Sequence, residues 1–174
     1  MTTIRQDILS GGTMIRPALP ADAGAIARIY NDYILNSVST FEEQVITPQA
    51  MEERMQKINA ASLPWLVAES SNRIVGYAYA SEWKDRSAYR YSAECSVYVE
   101  PDSQGIGFGS QLYETLLDHL RQLKVHVVIG GIALPNPASI RLHEKFGFRK
   151  VAHFEEVGYK FGQWVDVGYW QLIL

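Results

Sequence analysis

The chain has 174 residues, 47% of them hydrophobic and 20% charged, which suits one compact domain with a single core. Its 16 basic and 19 acidic residues leave a net charge of -3 with no run of like charge, so the clustered basic face of a nucleic-acid-binding protein is not expected. Cys95 is the single cysteine, which excludes an intrachain disulfide and points to a reducing cytoplasm, and neither a secretory leader nor an apolar run of membrane-spanning length is present.

Residues 1–13, ending on Gly11-Gly12-Thr13, read as an N-terminal extension with no expected fold, and residues 14–174 as one domain. A short strand is expected at Met14 to Pro17. From Pro20 to Leu35, Ile26, Ile29, Tyr30, Tyr33 and Ile34 recur at helical spacing behind Asp22 in the first turn. Thr47-Pro48 reads as an N-cap with proline at the first helical position, and Met51, Met55 and Ile58 extend that helix to Ala60. Trp65 to Glu69 and Ile74 to Trp83 are apolar and aromatic, joined by the Ser70 to Arg73 turn, as in an antiparallel hairpin. After a polar loop from Lys84 to Ala88, Tyr91 to Val99 forms another strand.

The segment Pro101 to Gly109 then opens directly into a helix whose Leu112, Leu116, Leu120 and Leu123 recur at intervals of four and three. Val125 to Ile132 reads as a strand covered on both faces, and Asn136-Pro137 caps a helix that ends at Phe146-Gly147. Strands near Phe148 to Val157 and Trp164 to Leu174 close the chain. The order implies an α/β (α+β) domain, a mixed twisted sheet of seven strands flanked by about four helices.

Gln104-Gly105-Ile106-Gly107-Phe108-Gly109-Ser110 carries the chemistry. Alternate glycines let the backbone approach a ligand closely, and the unpaired N–H groups of a helix start, backed by the helix dipole, suit a diphosphate. The spacing is neither that of a dinucleotide fingerprint nor that of a phosphate loop ending in Gly-Lys-Ser/Thr.

Gln104-x-x-Gly107-x-Gly109 resembles the acetyl-CoA signature of the GNAT acetyltransferases, and Asn136-x-x-Ser139-x-x-Leu142-His143-Glu144-Lys145-Phe146-Gly147-Phe148 resembles their second conserved block. Within that superfamily, Ala93 to Val99, Leu134-Pro135-Asn136 and the run from Gly158 through Lys160-Phe161-Gly162-x-Trp164-x-Asp166 to Val167 are similar to the phosphinothricin and methionine sulfoximine acetyltransferases. The likeness spans about residues 14 to 174. Gly105 departs from it, since many relatives hold an Arg or Lys there beside the phosphates.

The resemblance implies the GNAT fold and transfer of acetyl from acetyl-CoA, without a metal, to the α-amino group of a small amino-acid analogue. Glu94 would be the general base, acting through water, with a pKa raised by its apolar neighbours; His143 takes the place of a tyrosine that protonates the departing thiolate. Val97, Tyr98, Val99, Gln104, Gly105, Ile106, Gly107, Phe108, Gly109, Ser110, Asn136 and Ser139 would hold the cofactor. Val97 and Val99 pair through their backbone with its pantetheine arm, and the Val97 N–H polarises the thioester carbonyl. Phe41, Arg86, Ser87, Ala88 and Tyr89, with Glu94, would hold the acceptor, Arg86 and Arg90 offering forked donors to a carboxylate. Relatives imply a homodimer, with Tyr159 to Trp170 as a contact surface, and a detoxifying role. A GNAT acting on a protein N-terminus or lysine, and a silent acyl-CoA sensor, are the competing readings.

Overall fold

The structure, a computed structural model, describes residues 7–9 and 13–174. The extension expected at residues 1–13 therefore lies mostly outside the described residues, but Asp7–Leu9 (β1) pairs with the next strand.

In chain order follow β2 (Thr13–Pro17), α1 (Ala23–Asn36), α2 (Pro48–Ala60), β3 (Trp65–Ser70), β4 (Arg73–Glu82) and β5 (Ser92–Val99). Next come α3 (Phe108–Gln122), β6 (Val127–Ala133), α4 (Pro137–Lys145), β7 (Arg149–Lys160) and β8 (Gln163–Ile173). One sheet runs β1-β2-β3-β4-β5-β6-β8-β7. The seven strands from Thr13 onward match the expected sheet, and β1 adds an eighth at its edge. Every neighbouring pair is antiparallel except β5 and β6.

Strand alternation divides the core in two. On one face α3 seats Leu112, Leu116 and Leu120 against Ala78, Ala80, Ala93, Cys95 and Val128. Each such leucine contributes about 1.5–3 kcal/mol relative to exposure. Leu123, expected on the same stripe, lies just past the end of α3 and is exposed. On the other face Ile26, Ile29, Tyr30 and Ile34 of α1 and Met51 and Met55 of α2 cover Trp65, Val67 and Tyr77. Thr47 accepts the Ala50 N–H at 3.1 Å, so its expected cap is made.

The feature that positions the site is a fork in the sheet. β5 pairs with β6 only through Ser92, Ala93 and Glu94. Beyond them β5 keeps β4 as far as Val99, while β6 follows β8 to Ala133. The two strands diverge, and the open edge of β5 faces a gap.

Candidate active site

The gap is a cleft of about 830 Å³. Cys95 to Val99 form one wall, Gly131 to Ala133 with Asn136 and Ser139 another, the glycine loop the floor, and Ser37, Val38 and Ser39 of the α1–α2 loop a third side. In an antiparallel pair alternate residues turn both N–H and C=O away from the partner. On β5 these are Val97 and Val99, whose polar groups face the cleft where β6 offers no pairing.

Val99 is already engaged. The Tyr33 hydroxyl of α1 donates to the Val99 carbonyl at 2.7 Å and accepts from its N–H at 3.4 Å. The Gln104 side-chain amide donates to the same hydroxyl at 3.0 Å. Tyr33 thus latches the glycine loop to the end of β5, a role no sequence pattern signals because its partners lie 66 and 71 residues away. Val97 keeps the free main-chain groups that an extended ligand arm would pair with.

Gly105 and Gly107 take φ of +78° and +104°, which L side chains rarely adopt. Gly107 is the N-cap of α3, so the first-turn amides from Phe108 to Ser110 point outward without a helical partner. The Phe108 side chain is buried in the α3 core, and only its backbone is available to a ligand. Gly105 brings no cation, but Arg141 and Lys145 of α4 line the same cleft, and the Lys145 ammonium donates to Ser110 Oγ at 3.0 Å. The charge absent from the loop stands on α4, one helical turn apart, where motif matching missed it. Positive-φ glycines, outward amides, two cations and an unpaired strand edge together fit a diphosphate joined to an extended arm.

Glu94 sits where the strands part, on the face opposite Cys95, Val97 and Val99 as alternation requires. Its carboxylate packs beside Gly131 and Tyr169: a Cβ at Gly131 would stand 3.3 Å from Glu94 Oε1 and 3.2 Å from Tyr169 Cε1. Burial pushes its pKa above the ordinary 4.5, against a smaller downward pull from Lys84. Burial also raises the Tyr169 pKa, with a further contribution from the Glu94 charge. Trp83 and Phe154 each meet the Tyr169 ring edge-on at 5.7 Å. The result is a carboxylate in an aromatic pocket; Glu94 was expected here and Lys84 opens the loop expected near the acceptor, whereas no sequence pattern placed Trp83, Phe154 or Tyr169 around that carboxylate.

The remaining expectations fall as follows. Asn136 caps α4, accepting the Ser139 N–H at 3.0 Å, and donates to Ser39 Oγ at 3.4 Å across the cleft. Tyr98 turns its ring into a cluster with Tyr30, Tyr33 and Tyr77. Ile106 is exposed on the loop, and Phe41 rests on Gly158. Arg86, Ser87, Ala88 and Tyr89 lie exposed on a 3-10 turn outside the cleft lining, where Arg90 donates to the Ser87 carbonyl at 3.0 Å.

His143 is buried against Gly130 of β6 and reaches the lining of the cleft. Its Nδ1 lies 2.8 Å from the Ser139 carbonyl, which can only accept, so Nδ1 carries the proton. Nε2 then accepts from the Tyr113 hydroxyl at 2.7 Å, and that oxygen accepts from the Cys95 thiol at 2.8 Å. Burial lowers the His143 pKa and pushes the Cys95 thiol up to about 12, so both are neutral at physiological pH. The expected thiolate donor is thus a neutral imidazole with both nitrogens occupied. Among the described residues no cluster of His, Cys, Asp and Glu could hold a metal.

Residues 15–168 match the family model described as "Acetyltransferase (GNAT) domain". The phosphinothricin N-acetyltransferase of Streptomyces viridochromogenes is 41% identical over 157 residues, 90% of this chain and 85% of that protein. The L-methionine sulfoximine/L-methionine sulfone acetyltransferase of Salmonella typhimurium is 37% identical over 92% of this chain and 94% of its own length. A crystal structure of a phosphinothricin acetyltransferase from Sinorhizobium meliloti, in complex with acetyl-CoA, superposes with a TM-score of 0.91 at 34% identity, over 93% of this chain and 88% of that one.

Proposed function

The chain belongs to the GNAT acetyltransferase family and is an N-acetyltransferase with acetyl-CoA as donor, and from that premise we propose that it acetylates the α-amino group of a small amino-acid analogue of the phosphinothricin or methionine sulfoximine type. The observation that carries this reading is the desolvated Glu94 carboxylate at the fork of the sheet, on the strand whose Val97 main-chain groups face the cleft.

In the proposed reaction Glu94, through a water, takes one proton from the incoming ammonium. The freed amine attacks the thioester carbonyl, whose oxygen draws on the Val97 N–H as charge develops. Collapse breaks the carbon–sulfur bond, and the second amine proton goes to the departing thiolate. His143, neutral and fixed by Ser139, serves as a positioning residue: it orients Tyr113 and, through it, Cys95 behind the reacting end of β5. Gly105, Gly107, the first-turn amides of α3, Arg141 and Lys145 hold the diphosphate. Lys84, at the root of the Arg86 to Arg90 loop and acting on Glu94 through its charge, suits the acceptor's carboxylate, with Arg86 further along the same loop. The free, buried Cys95 agrees with a reducing cytoplasm, and the exposed Tyr159, Phe161 and Trp164 offer a second copy its contact surface.

Thiol release from acetyl-CoA tests the reading, with L-phosphinothricin, L-methionine sulfoximine and an alanyl dipeptide as acceptors. Either amino-acid analogue is expected to exceed the dipeptide in kcat/KM by about 100-fold, because a site built for a free carboxylate is left unpaired by a peptide. A preferred dipeptide would transfer the protein to peptide acetylation, and binding without thiol release would make it a sensor.

A further inference from the structure

The run Gly158 to Asp166 takes no part in the chemistry above, yet it is the most sharply constrained stretch of the C-terminal hairpin. Lys160, the last residue of β7, is only 1% exposed. Its ammonium donates to the carbonyls of Ser37 and Thr40, both at 2.7 Å, and lies 4.8 Å from the centre of the Phe161 ring. No carboxylate is hydrogen-bonded to it among the described residues; Glu42 and Glu43 act on it only at longer range. A buried ammonium is costly, and an apolar side chain of similar length would fill the space without that cost. What the ammonium alone supplies is convergence: it draws two carbonyls, three residues apart, onto one point.

The rest of the run brings Lys160 there. Between Phe154 and Gly158 β7 advances four residues while β8 advances two, from Val167 to Val165. The Asp166 carboxylate holds this bulge, accepting the Glu156 N–H at 2.9 Å and meeting His153 Nε2 at 2.7 Å. Gly158 then lies under Phe41 so closely that any Cβ would overlap the ring. The hairpin thus grips the α1–α2 loop twice, at the Ser37 and Thr40 carbonyls and at Phe41. That loop walls the cleft through Ser37, Val38 and Ser39.

We propose that Lys160 is a positioning residue for the acceptor pocket: with Gly158 it sets the place of the α1–α2 loop, and through it of Phe41, so that the C-terminal hairpin governs acceptor affinity without touching the reacting atoms. The claim about affinity rests on the acetyltransferase reading above; the claim about the loop does not.

Lys160→Met tests both. Amide exchange at Ser37 to Phe41 is expected to quicken about tenfold while α3 keeps its protection, and the acceptor KM to rise about tenfold with kcat within about threefold, the scale of losing hydrogen bonds from a charged donor. Lys160→Arg should recover part of the acceptor KM. If Lys160→Met does not fold, Gly158→Ala displaces Phe41 with the ammonium in place and should shift acceptor KM and loop exchange in the same direction. Unchanged exchange at Ser37 to Phe41, or a uniform loss of kcat and melting temperature with acceptor KM intact, would overturn the proposal. A wild-type protein inert toward every amino acid would defeat the acetyltransferase substrate reading, and the exchange measurement would still decide the clamp.

Discussion

The two ends of the proposed site are built by opposite means. At the end proposed for the diphosphate one contiguous stretch, Gln104 to Ser110, offers backbone conformation and a helix start, and α4 adds two cations from a single face. At the end proposed for the acceptor, Glu94, Lys84, Gly131, Phe154 and Tyr169 come from four strands and a loop, and the α1–α2 loop is held in place by a hairpin 120 and 123 residues away. Local backbone determines one end, and convergence of distant side chains the other. Substitutions at the two ends are therefore expected to separate cleanly in their kinetics.

The largest effect is expected at the acceptor end. Glu94→Gln should lower kcat by about 100- to 1,000-fold, the usual worth of a positioned base, with acetyl-CoA affinity unchanged. The same substitution should raise the melting temperature. Burial raises the folded-state pKa of Glu94, so the stability tied to its protonated form is present at low pH and lost as pH rises through that pKa; at neutral pH the wild-type protein carries a disfavoured charge that glutamine lacks. For the same reason the acid limb of kcat/KM should fall at a pH above the ordinary 4.5 of a glutamate. A variant that lost activity and stability together would indicate a structural carboxylate.

At the phosphate end Gly107→Val should raise the acetyl-CoA KM by about tenfold, since a β-branched residue at φ +104° strains the turn, at about 1–2 kcal/mol. Acceptor KM should stay within about twofold, because the strain falls on the glycine turn and not on the groups packed around Glu94. Equal shifts in both constants would mean that the two ends are not independent.

The smallest effect probes the link between them. Tyr33→Phe removes the hydroxyl that joins Val99 to Gln104 and should raise the acetyl-CoA KM about threefold, with kcat unchanged, as for one hydrogen bond exchanged with water. Calorimetric titration with coenzyme A would report the same loss without turnover.

Much of this was legible in the chain itself. The leucine stripe of α3, the Thr47-Pro48 start of α2, the glycine spacing and the alternation that sets Glu94 opposite Cys95 are consequences of neighbours within a few residues, where periodicity and capping rules act. Asn136 showed its capping role in the same way. Val99 did not: its backbone counted as free until Tyr33 was seen to occupy it. Arg141 and Lys145 carried no signal in the sequence of their place beside the glycine loop, and the hairpin run, expected as a contact surface, gave no sign that Lys160 reaches Ser37 and Thr40.

The amino-acid order alone determined the strands and helices, the glycine turn that opens α3 and the strand that carries Glu94, because short-range geometry decides each of them. Only the folded arrangement decided where β5 and β6 part, which cations line the cleft beside the glycine turn, and how Lys160 reaches Ser37 and Thr40. The Lys160 contacts close loops of 123 and 120 residues and the Lys145–Ser110 contact one of 35, and the packing that selects among such closures is a property of all the elements at once.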